Sequence, residues 1–212
     1  MSVYTPAHFN MEDRAAIARL MHDHPFATLL TPVSPEPLVS HVPLLLVPDA
    51  EPHGTLIGHV ARANPHWQQA TGAESVAIFH GPHAYVSPSW FTEPSKGVPT
   101  WNYAVVHVHG MLEVVDEPVE KRRVLDALVQ RFEADRATPW RFAMAERQRD
   151  ALVGAIVAFR MRVRHLTGKF KLSQNRSVVD QQRIAAALDA EPYADATAVA
   201  AWMRAYGAAN ST

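Results

Sequence analysis

The stretch Phe159-Arg160-Met161-Arg162-Val163-Arg164 alternates apolar and cationic residues without a break. Successive side chains take opposite sides only in extended chain, so this is a strand with an apolar face and an arginine face. A longer alternation obeys the same rule. Between Tyr103 and Val115, Val106, Val108, Leu112 and Val114 share one face; Val105, His107, His109, Met111 and Glu113 share the other. Further β-type runs cover 26–30, 39–47, 55–60, 75–79 and 84–87, with turn-rich segments at 31–37 and 48–54 and a loop at 88–100.

Helices are expected in fewer places. Asn10, three residues before Asp13, suggests a capping box ahead of the stripe Ala16, Ile17, Leu20 and Met21, and Pro25 ends it. Asn64-Pro65 reads as a cap followed by proline in the first turn of a short helix to Ala70. Pro118 opens a helix with the stripe Val124, Leu125, Leu128, Val129 and Phe132. Another ends near Gly154, and the tail from Asp180 to Tyr206 carries two helices parted near Pro192. Strands and helices do not alternate along the chain, which argues against a doubly wound sheet. The expected class is mainly β with peripheral helices (α+β), an antiparallel barrel spanning 1–176, with a helical tail, 177–212, packed on it.

Composition narrows the chemistry. With 48% hydrophobic and 19% charged residues in 212, the chain is long enough for one well-packed domain and short for two. The formal net charge of −1 is a poor start for a duplex-DNA binder, although the 12 histidines would turn the chain basic under mild acidity. The absence of cysteine removes disulfides, thiolate metal sites and cysteine nucleophiles. No run approaches the ~20 apolar residues that span a bilayer, and the N-terminus has no charged or apolar leader, so no membrane and a cytoplasmic location are expected.

Four clusters concentrate side chains able to bind a ligand. In 59–67, His59, Arg62, Ala63 and Asn64 sit where a strand runs into a helix start; free amides and a guanidinium suit a phosphate, and so does a surface arginine beside an ordinary cap. In 78–91, including Ser87 and Trp90, and in 98–103, with Thr100, Trp101, Asn102 and Tyr103, aromatic and small polar residues crowd into loops. They can cover a flat heteroaromatic ring, or simply pack as an aromatic mini-core. In 168–176, an extended chain places Lys169, Lys171 and Ser173 on one face, followed by Gln174, with Phe170 and Leu172 inward. That face is either an anion-facing strip or an edge protected by lysines. No Walker loop, Ser-His-Asp pattern or nucleophile elbow is present. The order His107-x-His109-x3-Glu113 echoes cupin metal ligands, but Trp101 and Glu120 stand where cupins place glycines, so no metal is expected.

Together these clusters resemble the PaiB-type family of FMN-binding negative transcriptional regulators. The matching blocks are Tyr4-x-Pro6-x-x-Phe9, Pro25-Phe26-Ala27-Thr28-Leu29, Ser40-His41-Val42-Pro43, Gly58-His59-Val60-Ala61-Arg62-Ala63-Asn64-Pro65-x-Trp67, Gly81-Pro82-His83-x-Tyr85-Val86-Ser87-Pro88-Ser89-Trp90, Val98-Pro99-Thr100-Trp101-Asn102-Tyr103 and Gly168-Lys169-Phe170-Lys171-Leu172-Ser173-Gln174-Asn175. The resemblance implies an FMN-binding split β-barrel of Greek-key type, a homodimer, and FMN at the subunit interface. It puts the phosphate at Arg62, Ala63 and Asn64, with Lys169 and Lys171 as second choice from either subunit. Trp101, Asn102 and Tyr103 would meet the ring, with Ser87 and Trp90 nearby. Phe91 departs from the tyrosine of many relatives and lacks its hydroxyl.

Three functions compete. The chain is a flavin-dependent redox protein (an FMN-dependent oxidoreductase or a redox-responsive negative transcriptional regulator), with no catalytic residue identifiable; or a repressor, with or without flavin, contacting DNA through the arginine strand or the tail; or a holder of haem or another planar ligand in the same groove.

Overall fold

A computed structural model describes residues 3–48 and 53–207. Strand β1 (Asn10–Met11) precedes helix α1 (Arg14–Asp23), which buries the expected stripe Ala16, Ile17, Leu20 and Met21. The cap is Asp13 rather than Asn10. Its Oδ1 accepts the Ala15 amide at 2.8 Å, whereas Asn10, four residues before the helix, donates to Glu12. Strand β2 (Phe26–Thr31) follows as expected.

The run at 39–47 is not one strand. It divides into β3 (Leu38–Pro43) and β4 (Leu45–Val47) at Leu44, which is 1% exposed and whose N–H donates to the Pro25 carbonyl at 2.9 Å. That bond takes Leu44 out of both ladders. Strand β5 (Thr55–Ala61) leads to the short helix α2 (His66–Ala70). Strand β6 (Glu74–Val86) then passes straight through Gly81-Pro82, where two separate strands were expected. The buried positions switch there from Ser75, Ala77 and Phe79 to Pro82, Ala84 and Val86, so the Gly-Pro pair changes the inward face without ending the strand. Two 3-10 turns, Pro88–Trp90 and Pro94–Lys96, lie in the loop before β7 (Thr100–Val115).

Helix α3 (Pro118–Glu133) is capped by the Glu117 side chain, which accepts the Glu120 amide; α4 (Glu146–Gly154) ends at β8 (Ile156–Lys171). The β8 burial pattern also changes phase, from Val157, Phe159, Met161 and Val163 to Phe170 and then Leu172, across the exposed or half-buried 164–167. Helices α5 (Val178–Asp189) and α6 (Ala194–Tyr206) complete the chain, the first capped by the Ser177 hydroxyl.

The chain gathers into two compact units, and β6, β7 and β8 run from one into the other. The first, the sheet unit, holds His24–Phe79 and His107–Leu166. Its strands lie in the order β3-β2-β6-β7-β8-β5-β4, and β2 pairs antiparallel with β3 and β6, β5 with β4 and β8. Helix α3 covers one side of β5 and β8, where Val124 and Leu128 pack on Ile57 and Ala158. Gly110 is required by close approach: a Cβ there would lie 2.1 Å from the Arg162 carbonyl oxygen. Gly110→Ala is expected to cost roughly 1–3 kcal/mol, because two backbones must separate; urea denaturation reads this directly, and an unchanged midpoint would contradict it.

The helical unit holds Met1–Asp23, His80–Val106 and Thr167–Thr212. Here β1 pairs with the end of β8, Asn10 opposite Lys169 and Met11 opposite Gly168. Phe170 is fully buried against Trp202 and Tyr206, with ring centroids 5.1 and 5.7 Å apart.

Candidate functional site

In the helical unit, β7 and β8 sort the predicted residues by parity. Trp101 is 52% exposed and Tyr103 half-buried, whereas Asn102 between them is 0% exposed. Alternation therefore puts Asn102 on the opposite side, where its Nδ2 donates to the Ser173 hydroxyl at 2.9 Å and approaches the Met203 sulfur at 3.4 Å. Ser173 returns a bond to Asn102 Oδ1 at 3.1 Å. Ser173 does not stay on the lysine face as a continued strand would place it. Its φ of 66° turns the chain into the left-handed region, which a non-glycine residue holds only with support, here the paired bonds to Asn102. Gln174 fastens the same turn, accepting the Leu172 amide and donating to the Phe170 carbonyl.

Lys169 and Lys171 stand on the face shared with Tyr103. The Lys171 ammonium donates to the Thr100 hydroxyl at 2.7 Å and to the Trp101 carbonyl, and lies 5.8 Å from the Phe9 ring. The Lys169 ammonium donates to the Tyr4 carbonyl at 2.7 Å, with the Tyr103 ring 5.5 Å away. Among the described residues neither lysine meets a carboxylate. Burial first, then the Lys169 and Arg176 charges, hold the Lys171 amine below the ordinary lysine range. Among the described residues this is a pair of cations without a counter-ion.

The loop with Ser87 and Trp90 is fastened to α5. Ser87 Oγ accepts the Ser89 amide, Arg183 donates to the Trp90 carbonyl at 2.8 Å, and Asp180 accepts both the amide and the hydroxyl of Thr92 at 2.7 Å. Those two bonds, the amide's first, hold the Asp180 carboxyl below the usual range.

The remaining predicted residues lie in the sheet unit. Arg62 donates from Nε to the Gly154 carbonyl at 2.7 Å and from Nη2 to the Ile156 carbonyl at 3.2 Å and Asp116 at 2.8 Å. Lys121, which no sequence pattern singles out, also reaches Asp116, at 3.0 Å. Arg62 and then Lys121 hold the Asp116 carboxyl below its usual range. The cap position of α2 falls on Pro65, not on Asn64 as expected; Asn64, one residue earlier, accepts the His66 amide at its Oδ1 at 2.9 Å, while its Nδ2 donates to Ser40. The helix that follows has only five residues. Ala63 is exposed in the turn beside it, and the His59 ring, depressed in proton affinity by burial, leaves Nδ1 buried without a partner among the described residues.

A polar network missed by the sequence reading lies beneath α2. His66, 2% exposed, bonds Thr31 through Nε2 at 3.0 Å and Ser40 through Nδ1 at 2.9 Å, and Thr31 meets Ser75 at 2.7 Å. The arginine face of β8 is compensated: Arg160 pairs with Glu120, Arg162 with Glu113 and Arg164 with Glu74. Among the described residues no group of three or more acidic or histidine side chains could hold a metal, and no helix is long and apolar enough to cross a membrane.

An antiparallel sheet with peripheral helices is the architecture of the flavin-binding split barrels. The chain matches the family "Putative FMN-binding domain" over residues 3–165, well over half its length, and belongs to it. It is 30% identical over 204 residues to the protease synthase and sporulation protein PAI 2 of Bacillus subtilis (strain 168), covering 95% of this chain and 96% of the relative. An uncharacterized protein of Aspergillus fumigatus, AFUA_5G13800, is 30% identical over 218 residues, covering 79% and 84%. Among solved structures, an FAD and heme binding protein from Mycobacterium smegmatis superposes with a TM-score of 0.60 at 19% identity, covering 77% of this chain and 73% of that one. The flavocytochrome Anf3 from Azotobacter vinelandii gives 0.60 at 12% identity, covering 76% and 69%. These structures share the fold. FMN is the cofactor of the family and of this chain.

Proposed function

We propose that the chain is a flavin-dependent redox protein whose FMN phosphate is received by Lys169 and Lys171, with Trp101 and Tyr103 against the ring. The observation that carries this reading is the lysine pair itself. Two ammonium groups sit together with aromatic neighbours and no carboxylate, a balance that an anionic ligand completes. The donor set fits FMN, since the same strand ends offer positive charge and two aromatic faces. Bound FMN supplies hydride and single-electron transfer; the residues here bind and orient it. Asn102, Ser173 and Gln174 position the lysine strand from behind, and Ser87 and Trp90 belong to the loop tied to α5.

A second placement of the phosphate, at Arg62 and Asn64, is supported by one fact: Arg62 and Lys121 share a single, largely exposed carboxylate, Asp116. Comparing FMN with riboflavin separates the two placements, because only the phosphate distinguishes those ligands. Lys171→Met is expected to weaken FMN by about 1.5–3 kcal/mol, on the order of ten- to a hundredfold, and riboflavin hardly at all. Arg62→Ala should leave the FMN-to-riboflavin ratio within about threefold. If the ratio collapses in Arg62→Ala and survives in Lys171→Met, the phosphate belongs at Arg62.

The exposure of Trp101 and Tyr85 supports a homodimer, for light scattering to test. A redox-responsive negative role in transcription rests on the PaiB-type resemblance, and the name of the Bacillus relative, a protease synthase and sporulation protein, fits a regulatory role. Direct DNA contact through the arginine strand finds little help, since each of its arginines is already paired with a glutamate; salt-insensitive or absent gel shifts would remove it.

A further inference from the structure

Lys169 is 9% exposed, yet among the described residues the one hydrogen bond of its ammonium goes to a peptide carbonyl, that of Tyr4. The Tyr4 and Tyr103 rings, 5.6 and 5.5 Å away, supply the remaining stabilisation. A buried ammonium normally has a carboxylate or several acceptors. The carbonyl that substitutes here belongs to residues 3–6, which form neither helix nor strand. The Tyr4 residue itself is 82% exposed, and the Thr5 hydroxyl bonds back to the Val3 carbonyl within the same segment. The chain is anchored only further on, by the buried Phe9 ring and by β1 on β8.

We propose that residues 3–6 form a strap over Lys169, with the Tyr4 carbonyl standing in the place of a phosphate oxygen, and that FMN binds to the lysine pair by displacing it. This rests on the assignment of the phosphate to Lys169 and Lys171. The strap lowers the apparent affinity by the fraction of molecules in which it is closed. It also sets the order of events: the segment must leave Lys169 before the anion can arrive.

The test uses the full chain with Tyr4→Gly and Pro6→Gly together, which removes the ring from Lys169 and frees the backbone. FMN affinity is expected to rise about three- to tenfold. Acetylation of Lys169 by acetic anhydride, read by mass spectrometry without FMN, should be slow in the parent, fast in the variant, and slow again once FMN is added. Tyr4→Gly alone serves if the double variant does not fold, with the same direction expected. Unchanged labelling of Lys169 overturns the strap. A fall in FMN affinity also overturns it, because Tyr4 would then be part of the binding surface and not its cover. If instead Lys171→Met leaves the FMN-to-riboflavin ratio intact, the phosphate assignment fails while the labelling still reports whether the segment covers Lys169.

Discussion

Phe170→Ala is expected to lower the unfolding free energy by about 3–5 kcal/mol. The ring is fully buried, meets Trp202 and Tyr206, and lies between the two lysines on the chain. Removing it loses the transfer free energy of the side chain and leaves a void that α6, held by its own packing, cannot fill. For a chain of this size each kcal/mol moves the midpoint by roughly 2–4 °C, so calorimetry should show a drop of roughly 6–20 °C. FMN binding should weaken as well, since β8 loses the support that fixes its outward lysines. A loss below about 1 kcal/mol would mean that this part of the core collapses freely onto the gap.

The second large effect is at His66. His66→Ala leaves the Thr31 and Ser40 hydroxyls facing a cavity, each orphan costing about 1–3 kcal/mol, for a total on the order of 3–5 kcal/mol. One choice of ring tautomer and hydroxyl orientation gives every donor in this network an acceptor. Asn64 donates to Ser40, Ser40 donates to His66 Nδ1, His66 Nε2–H donates to Thr31, and Thr31 donates to Ser75. Only a neutral imidazole satisfies that chain, because a second ring proton leaves the Ser40 hydrogen without an acceptor. Burial holds the ring's proton affinity below that of a free histidine, whose value is 6.5. Below that pH the unfolded chain takes up a proton that the folded one refuses, so the His66 contribution is complete above about pH 6.5 and fades as the pH falls. Urea denaturation of the parent and His66→Gln between pH 7.5 and 5 checks this. His59 and His109 are shifted the same way by burial and leave some slope in both proteins. Parallel slopes would remove His66 as the titrating group.

Local pattern made much of this architecture legible. The faces of β7, the stripe of α1, the start of α3 at Pro118 and the division of the tail needed only alternation, helical period and proline. The mainly β fold with peripheral helices follows from those elements, and the family match agrees with it. What could not be read depends on partners distant in sequence. Nothing in the run at 39–47 says that Leu44 bonds to Pro25, and so the break was invisible. The phase changes at Gly81-Pro82 and 164–167 depend on what each strand lies against. Lys169 and Lys171 were visible as a cationic face, but their lack of carboxylates is a property of the folded chain, as is the Arg62–Asp116 pair. Asn102 was grouped with Trp101 and Tyr103 by adjacency, although the alternation that exposes its neighbours sends it inward.

Leu44 has one more consequence. It joins β3 and β4, the two ends of the strand order, and β3 also contacts β5, so the first and last ladders of the sheet unit are separated by a single residue. The margins of the sheet are therefore covalent neighbours, and their spacing is set by one peptide unit and its bond to Pro25. A residue inserted at this joint would shift the register of both margins together.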